Sequence, residues 1–200
     1  SSPLTAIANT SLLTLQNNTP NTNNVFVDNS TNNFLVTRNG DTTSGTFSPY
    51  GNGWSNYFTA TGDNIRATAT TALGVSFTLE CWIFPISFAN YRLIFDNRTS
   101  DPDTVGFAFG LDGNAKVYIY TNNLFQLTTT TALTANLWTH LALVRNGSGS
   151  ANIKIYINGV ADATTGTYAT SFTRTSGYIG NDFDGTGAPF VGYKIGRAHV

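Results

Sequence analysis

Methionine is missing altogether from these 200 residues, cysteine and glutamate each occur once, and histidine occurs twice. The single cysteine, Cys81, has no partner for an internal disulfide, so oxidising export is neither required nor excluded. Its place inside an apolar run marks it as a buried, inert thiol. So few histidines and cysteines cannot assemble a zinc site, and no Gly-rich loop joins a strand to a helix for phosphate. Charge is scarce too: Lys and Arg total 10 against 11 Asp and Glu, for a net charge of -1. No basic field is present to hold nucleic acid or an anionic membrane, and neither is expected as a partner. No stretch approaches the roughly 18 apolar residues of a membrane span, and Ser1 opens without a charged segment or apolar signal core. Without an initiator methionine, the chain reads as a fragment of a longer protein whose export signal, if any, lies upstream.

The polar share is carried by Thr, which favours strands, and by Asn, Ser and Gly, which favour turns. The length fits one domain with one core. Ser1 to Ser55 alternates short apolar runs, Leu12-Leu13-Thr14-Leu15 and Phe34-Leu35-Val36, with turns such as Asn17-Asn18-Thr19-Pro20 and Arg38-Asn39-Gly40-Asp41. Its aromatic residues Phe26, Phe34, Phe47, Tyr50 and Trp54 argue for order over a disordered tract. From Phe77 a period of two is clear. Phe77, Leu79, Cys81 and Ile83 share one strand face, Thr78, Glu80, Trp82 and Phe84 the other, and Pro85 stops the run. Further strands are expected at Tyr91–Phe95, Val105–Leu111, Lys116–Tyr120, Leu137–Arg145, Ile153–Asn158 and Tyr178–Gly180, with Ile153, Ile155 and Ile157 facing the core. No run holds a helical period.

The pieces Leu12-Leu13-Thr14-Leu15, Asp28-Asn29-Ser30, Tyr57 to Asp63 and Phe77 to Ile83 come in a familiar order. Leu137-Trp138-Thr139-His140-Leu141-Ala142-Leu143-Val144-Arg145 follows, then Ile155-Tyr156-Ile157-Asn158-Gly159-Val160 and Phe190-Val191-Gly192-Tyr193. Taken together they resemble laminin-G-like, concanavalin A-like lectin/glucanase domains from about Ser11 to Tyr193. The resemblance implies an all-β fold, a two-sheet antiparallel β-sandwich of jelly-roll type, filling residues 1–193. Its Thr/Asn-rich flavour is also similar to modules of phage structural proteins and bacterial surface proteins, which implies an extracellular or virion-surface setting. Residues 194–200 depart from the family pattern. We read Ile195 to Val200 as translated sequencing adapter, since ATC-GGA-AGA-GCA-CAC-GTC encodes them; amplifying the source gene from native DNA tests this. That reading expects the native last strand to be missing, with a sheet edge left unpaired.

Glycoside hydrolysis, within the superfamily's range, needs two facing carboxylates. Glu80 is the only glutamate and its strand lacks the clustered acids of such glucanases, so we expect no enzyme and a structural hydrogen bond for Glu80. A triad would depend on His140, which reads as a structural histidine. Calcium is the live metal, because rim loops of a sandwich can converge oxygens on it. Asp101, Asp103 and Asp162 are the candidates, laminin-G domains being similar in placing calcium aspartates at two such positions. Asn181-Asp182-Phe183-Asp184-Gly185 is the competing loop, and ordinary turn aspartates remain the alternative for both.

Sugar binding uses aromatic rings against a pyranose face, with polar groups addressing the hydroxyls. Tyr118 and Tyr120 share one face of their strand, opposite Val117 and Ile119, and are expected on an exposed sheet surface with Arg92, Asn97 and Tyr156 nearby. Trp82 and Trp138 are expected in the core. These residues point to a non-catalytic module for a glycan or surface polysaccharide. The alternative is a structural module docking onto other proteins of the same assembly.

Overall fold

The computed structural model describes Thr5 and residues 7–14, 26–51 and 53–199, with side chains described through Gly196. Residue 15, the Asn17 to Pro20 turn and residue 200 lie outside them. The strands are β1 (Thr10–Thr14), β2 (Leu35–Asn39), β3 (Thr43–Gly45), β4 (Ser55–Phe58), β5 (Asn64–Thr68), β6 (Ser76–Pro85), β7 (Arg92–Asp96), β8 (Ala108–Leu111), β9 (Lys116–Thr121), β10 (Leu124–Ala132), β11 (Thr139–Asn146), β12 (Ile153–Ile157), β13 (Val160–Gly166), β14 (Ser176–Ile179) and β15 (Gly192–His199). There is no helix among the described residues.

Two antiparallel sheets face each other. One runs β13-β12-β11-β6-β15-β4-β3, with β1 added on β15, and the other runs β10-β9-β8-β7-β14-β5-β2. The period of two decides what lies between them. Phe77, Leu79, Cys81 and Ile83 of β6 meet Leu141 and Leu143 of β11 and Ile153 and Ile155 of β12 in one core, all buried, with Ile157 packed against its edge. Ile65, Ile94, Phe109, Leu111, Val117, Ile119 and Ile179 close that core from the second sheet. Each such fully buried side chain stabilises the fold by about 1.5 to 3 kcal/mol. The Asn158-Gly159 turn joins β12 to β13 with both residues at positive φ, 51° and 81°, the conformation that matches the strand twist of a tight hairpin.

Three expectations change. Trp82 and Trp138 are not core residues: alternation sends Trp82 to the outer face of the first sheet, and Trp138 is half-buried beside Phe84, with ring centroids 5.6 Å apart. The strand β10 was not expected, because Leu124–Ala132 is a threonine run without apolar alternation; threonine's strand preference and pairing with β9 carry it. The unpaired edge is absent as well. Gly192–His199 runs mid-sheet, bonded to β6 along its whole length and to β4 and β1 on its other side. Ladder bonds use backbone groups, so this stretch pairs as a strand whatever its side chains. Within it Lys194 points into the core, donates to the Ile94 carbonyl, and has its ammonium pulled down to about 8 by burial.

Candidate functional site

The outer face of the second sheet carries a cleft of about 420 Å³. The alternation that turns Val117 and Ile119 inward turns Tyr118 and Tyr120 of β9 outward, into this cleft. Contrary to the expected exposed surface, Tyr118 is only 2% exposed, because β7 and two loops build over it. It forms the floor, with Leu93, Ala108 and Ala188 packed on it. Burial raises the pKa of its phenol, which stays neutral. Tyr91 and Phe125 stand over Tyr118, their rings parallel and 6.4 Å apart, and both are exposed. Tyr91 sits at φ 63°, a left-handed conformation costing about 1 to 2 kcal/mol in a non-glycine residue, which is tolerated where the surroundings hold it.

A buried ion pair underlies the polar side. Asp96, fully buried at the end of β7, accepts from the Arg98 backbone at 2.9 Å and from its guanidinium Nη2 at 2.8 Å. Burial pushes the Asp96 carboxyl up, against the pull of Arg98. The rings of Tyr120 and Phe183 each lie 5.2 Å from the guanidinium carbon, a cation–π arrangement that shields it from solvent. Arg98 Nη1 reaches Asp101 at 3.3 Å, and the Tyr120 hydroxyl lies 3.3 Å from Asp101 and 3.2 Å from Asn123. Opposite stands Asp182, which accepts from the backbone of Thr186 at 3.0 Å and of Gly187 at 3.1 Å through one oxygen. Burial, with Asp184 beside it, raises the Asp182 pKa.

The structure thus brings together Tyr118, Tyr120 and Asp101 of the expected residues, and not the others. Arg92 donates to the Pro189 carbonyl at 2.9 Å, outside the cleft lining. Asn97 is buried and accepts from Phe107 N at 2.7 Å, fixing the start of β8. Tyr156 is on β12, in the other sheet. Arg98, Tyr91 and Phe183 went unread. Arg98 follows Asp96 by two residues, the offset at which an aspartate caps the backbone ahead of it, and that was the available signal.

Among the described residues the three calcium candidates are not gathered into one cluster, and Asp103 and Asp162 have their oxygens taken up by donors. Asp103 accepts from the backbone of Val105, Gly106 and Thr99, all at 2.9 Å, and from Arg174 Nε at 2.9 Å. Burial opposes its ionisation, yet these donors hold its carboxyl below the usual range. Asp162 accepts from the backbone of Thr130, Thr131 and Thr164, each at 3.0 Å, pinning β10 to β13; against the effect of burial, these donors depress its pKa. Lone pairs so occupied are not free for a cation. Among the described residues no three His, Cys, Asp or Glu side chains converge. Glu80 lies 3.2 Å from His140 Nε2 on the outer face of the first sheet, an arrangement suited to a structural carboxylate.

The two antiparallel sheets form a sandwich of the concanavalin A-like, jelly-roll class. A profile of the concanavalin A-like lectin/glucanases superfamily matches residues 58–195, and the chain belongs to that superfamily. No curated protein matches the sequence. Among solved structures, domain 4 of AbnA, a GH43 extracellular arabinanase from Geobacillus stearothermophilus in complex with arabinotriose, is similar at a TM-score of 0.64 and 18% identity, covering 84% of this chain and 82% of that one. The binding domain of Paraclostridial Mosquitocidal Protein 1 is similar at a TM-score of 0.68 and 12% identity, covering 96% of this chain and 48% of that one. The binding domain of Botulinum Neurotoxin DC in complex with SialylT follows at 0.64 and 16%, covering 94% and 47%. The chain spans about half the length of these two toxin domains. At such identities the likeness is one of fold. Among the described residues, no helix is long and apolar enough to cross a membrane.

Proposed function

We propose that this domain is a non-catalytic carbohydrate-binding module acting on the surface of a cell or virion, and that the cleft over Tyr118 holds the sugar. One observation carries the reading: the exposed and half-buried rings of Tyr91, Tyr120 and Phe183 line the same cleft as the carboxylates of Asp101 and Asp182, with Phe125 stacked on Tyr91 at its rim. Rings stack on the C–H face of a sugar while carboxylates take its hydroxyl protons. The arabinotriose bound to the similar arabinanase domain supports the same direction.

Asp101 and Asp182 also line one cleft as a hydrolytic pair would. Their engagement favours binding: Asp101 is tied to Arg98, and one Asp182 oxygen carries two loop N–H groups. The test is a glycan array followed by calorimetry with wild type and Tyr120→Ala, and an assay for reducing ends. Saturable binding weakened about tenfold by the substitution, with no sugar released, supports the reading. Undiminished binding moves the site elsewhere, and released reducing ends make it an enzyme.

A second reading, docking onto a protein of the same assembly, is favoured by an aromatic patch on the opposite face. Exposed Phe47 packs 4.8 Å from Phe84 and Tyr193 and 5.4 Å from Trp138, whose indole N–H has no partner. Loss of partner capture in Phe47→Ser, with sugar binding intact, would single it out.

A further inference from the structure

Taking the cleft as the saccharide site proposed above, we infer that it selects neutral sugars and rejects acidic ones, and that Asp101 is the residue that sets this choice. A site for sialic or uronic acid needs a cation or several N–H donors with no other partner, presented to the ligand carboxylate. Arg98 is the only basic side chain among the described residues of the cleft lining, and each of its three guanidinium nitrogens already has a carboxylate beside it. Its Nε lies 3.1 Å and 3.2 Å from the two Asp96 oxygens, Nη2 lies 2.8 Å from Asp96, and Nη1 lies 3.3 Å from Asp101. The residue is 8% exposed, with two aromatic rings against it. A ligand carboxylate approaching Nη1 would compete with Asp101 for it.

Apart from the Asn90 amide and the Tyr91 hydroxyl, which can donate or accept, the open side-chain groups of the lining are carboxylate acceptors. The Asp101 side chain is 43% exposed while bonded to Arg98 and close to Tyr120. Asp182 uses one oxygen on the loop backbone, and its other oxygen lies against Gly187 at the cleft wall. A hydroxyl satisfies such an oxygen by donating to it, whereas a carboxylate or sulfate brings only more lone pairs and like charge. The lining contributes two carboxylates, Asp101 and Asp182, to one guanidinium already matched by Asp96 beneath it, so the local field is negative. Neutral hexose or pentose units therefore fit both the rings and the acceptors. Asp101 decides because it is the cleft-lining carboxylate paired with Arg98, through Nη1.

The test pairs neutral and acidic probes of like size: lactose with sialyllactose, and arabinotriose with trigalacturonate, within an array carrying neutral, uronate and sialylated glycans. Calorimetry is run on the whole chain and on Asp101→Asn. Wild type is expected to bind the neutral member of a pair at least about tenfold more tightly than the acidic one. Asp101→Asn is expected to reverse the trend, with acidic binding rising about tenfold and neutral binding falling about threefold. Raising salt on the wild type, which needs no variant, is expected to narrow the gap by screening. Acidic probes bound as tightly as neutral ones, or unmoved by Asp101→Asn, overturn the inference and leave a saccharide site standing. Silence of the wild type towards the whole array overturns both.

Discussion

Replacing Asp103 by asparagine separates a structural carboxylate from a metal ligand. The wild-type side chain is buried and uses both oxygens: Oδ1 accepts from Val105 N and Gly106 N, and Oδ2 from Thr99 N and from Arg174 Nε and Nη2, all at 2.9 Å. An asparagine can keep the first pair. Its amide NH₂ must then face the Thr99 N–H and the Arg174 guanidinium, donors against donors. A hydrogen bond to a charged group is worth about 1.5 to 3 kcal/mol, and the partly exposed Arg174 regains water, so the net loss is about 3 kcal/mol. For a chain of this size that lowers Tm by about 6 to 12 °C. The assay is scanning calorimetry of both proteins at neutral pH, in calcium and again in chelator. The drop is expected to be the same in both. A Tm within about 1 °C of wild type refutes the hydrogen-bond accounting, and a drop that vanishes in chelator makes Asp103 a calcium ligand after all. The same loop carries Asp101 into the cleft, so sugar affinity should also fall, although Asp103 touches no ligand.

Asp162→Ala orphans three threonine N–H groups between β10 and β13 and should cost about 2 to 4 kcal/mol in urea unfolding; a cost under about 1 kcal/mol would remove its role as a clip. Acid should weaken the fold by a defined route. Asp103 and Asp162 have folded-state pKa values below their unfolded ones, so their contribution is complete above about pH 4 and is lost as pH falls through the folded values. Tm should therefore fall steeply below about pH 4, with a shallower slope in Asp162→Ala, and a flat profile down to about pH 3 would contradict both assignments. Gly187→Ala would place a methyl 2.3 Å from Oδ2 of Asp182, forcing that carboxylate to move. Sugar binding should weaken about tenfold while Tm stays within about 4 °C, and unchanged affinity would show that Asp182 does not meet the ligand.

The core was legible because alternation in β6, β11 and β12 is a local property of the chain: Phe77, Leu79, Leu141 and Ile153 announce their face without knowledge of the fold. Alternation also put Tyr118 and Tyr120 on one outward face. It could not say that the loops before β7 and after β14 close over that face and bury Tyr118, because loop trajectory depends on contacts distant in sequence. The two tryptophans failed for a related reason. Trp82 reads as core by its apolar strand, yet its parity is that of Glu80, and the outer face of the first sheet has an aromatic cover of its own in Tyr50, whose ring lies 5.9 Å away. Asp103 and Asp162 were visible as loop acids, but whether an aspartate meets a cation or a set of N–H groups is decided by backbone direction, which no spacing encodes.

That division of labour has a consequence for specificity. Tyr118 is rigid because strands hold it on both sides, so the buried floor of the cleft belongs to the sandwich. Asp101 and Asp182 belong to loops, and Asp103 and Asn181 fix those loops through hydrogen bonds to backbone, Asn181 accepting from Asp182 N at 2.9 Å and Ala188 N at 3.1 Å. On the proposed reading, substitution at Asp101 or Asp182 alters which sugars are accepted without disturbing the core, whereas substitution at Asp103 or Asn181 displaces the whole loop. Recognition is thus separable from folding at the first pair and inseparable from it at the second. That separation is why a cleft of this kind can change its ligand while the two sheets beneath it stay the same.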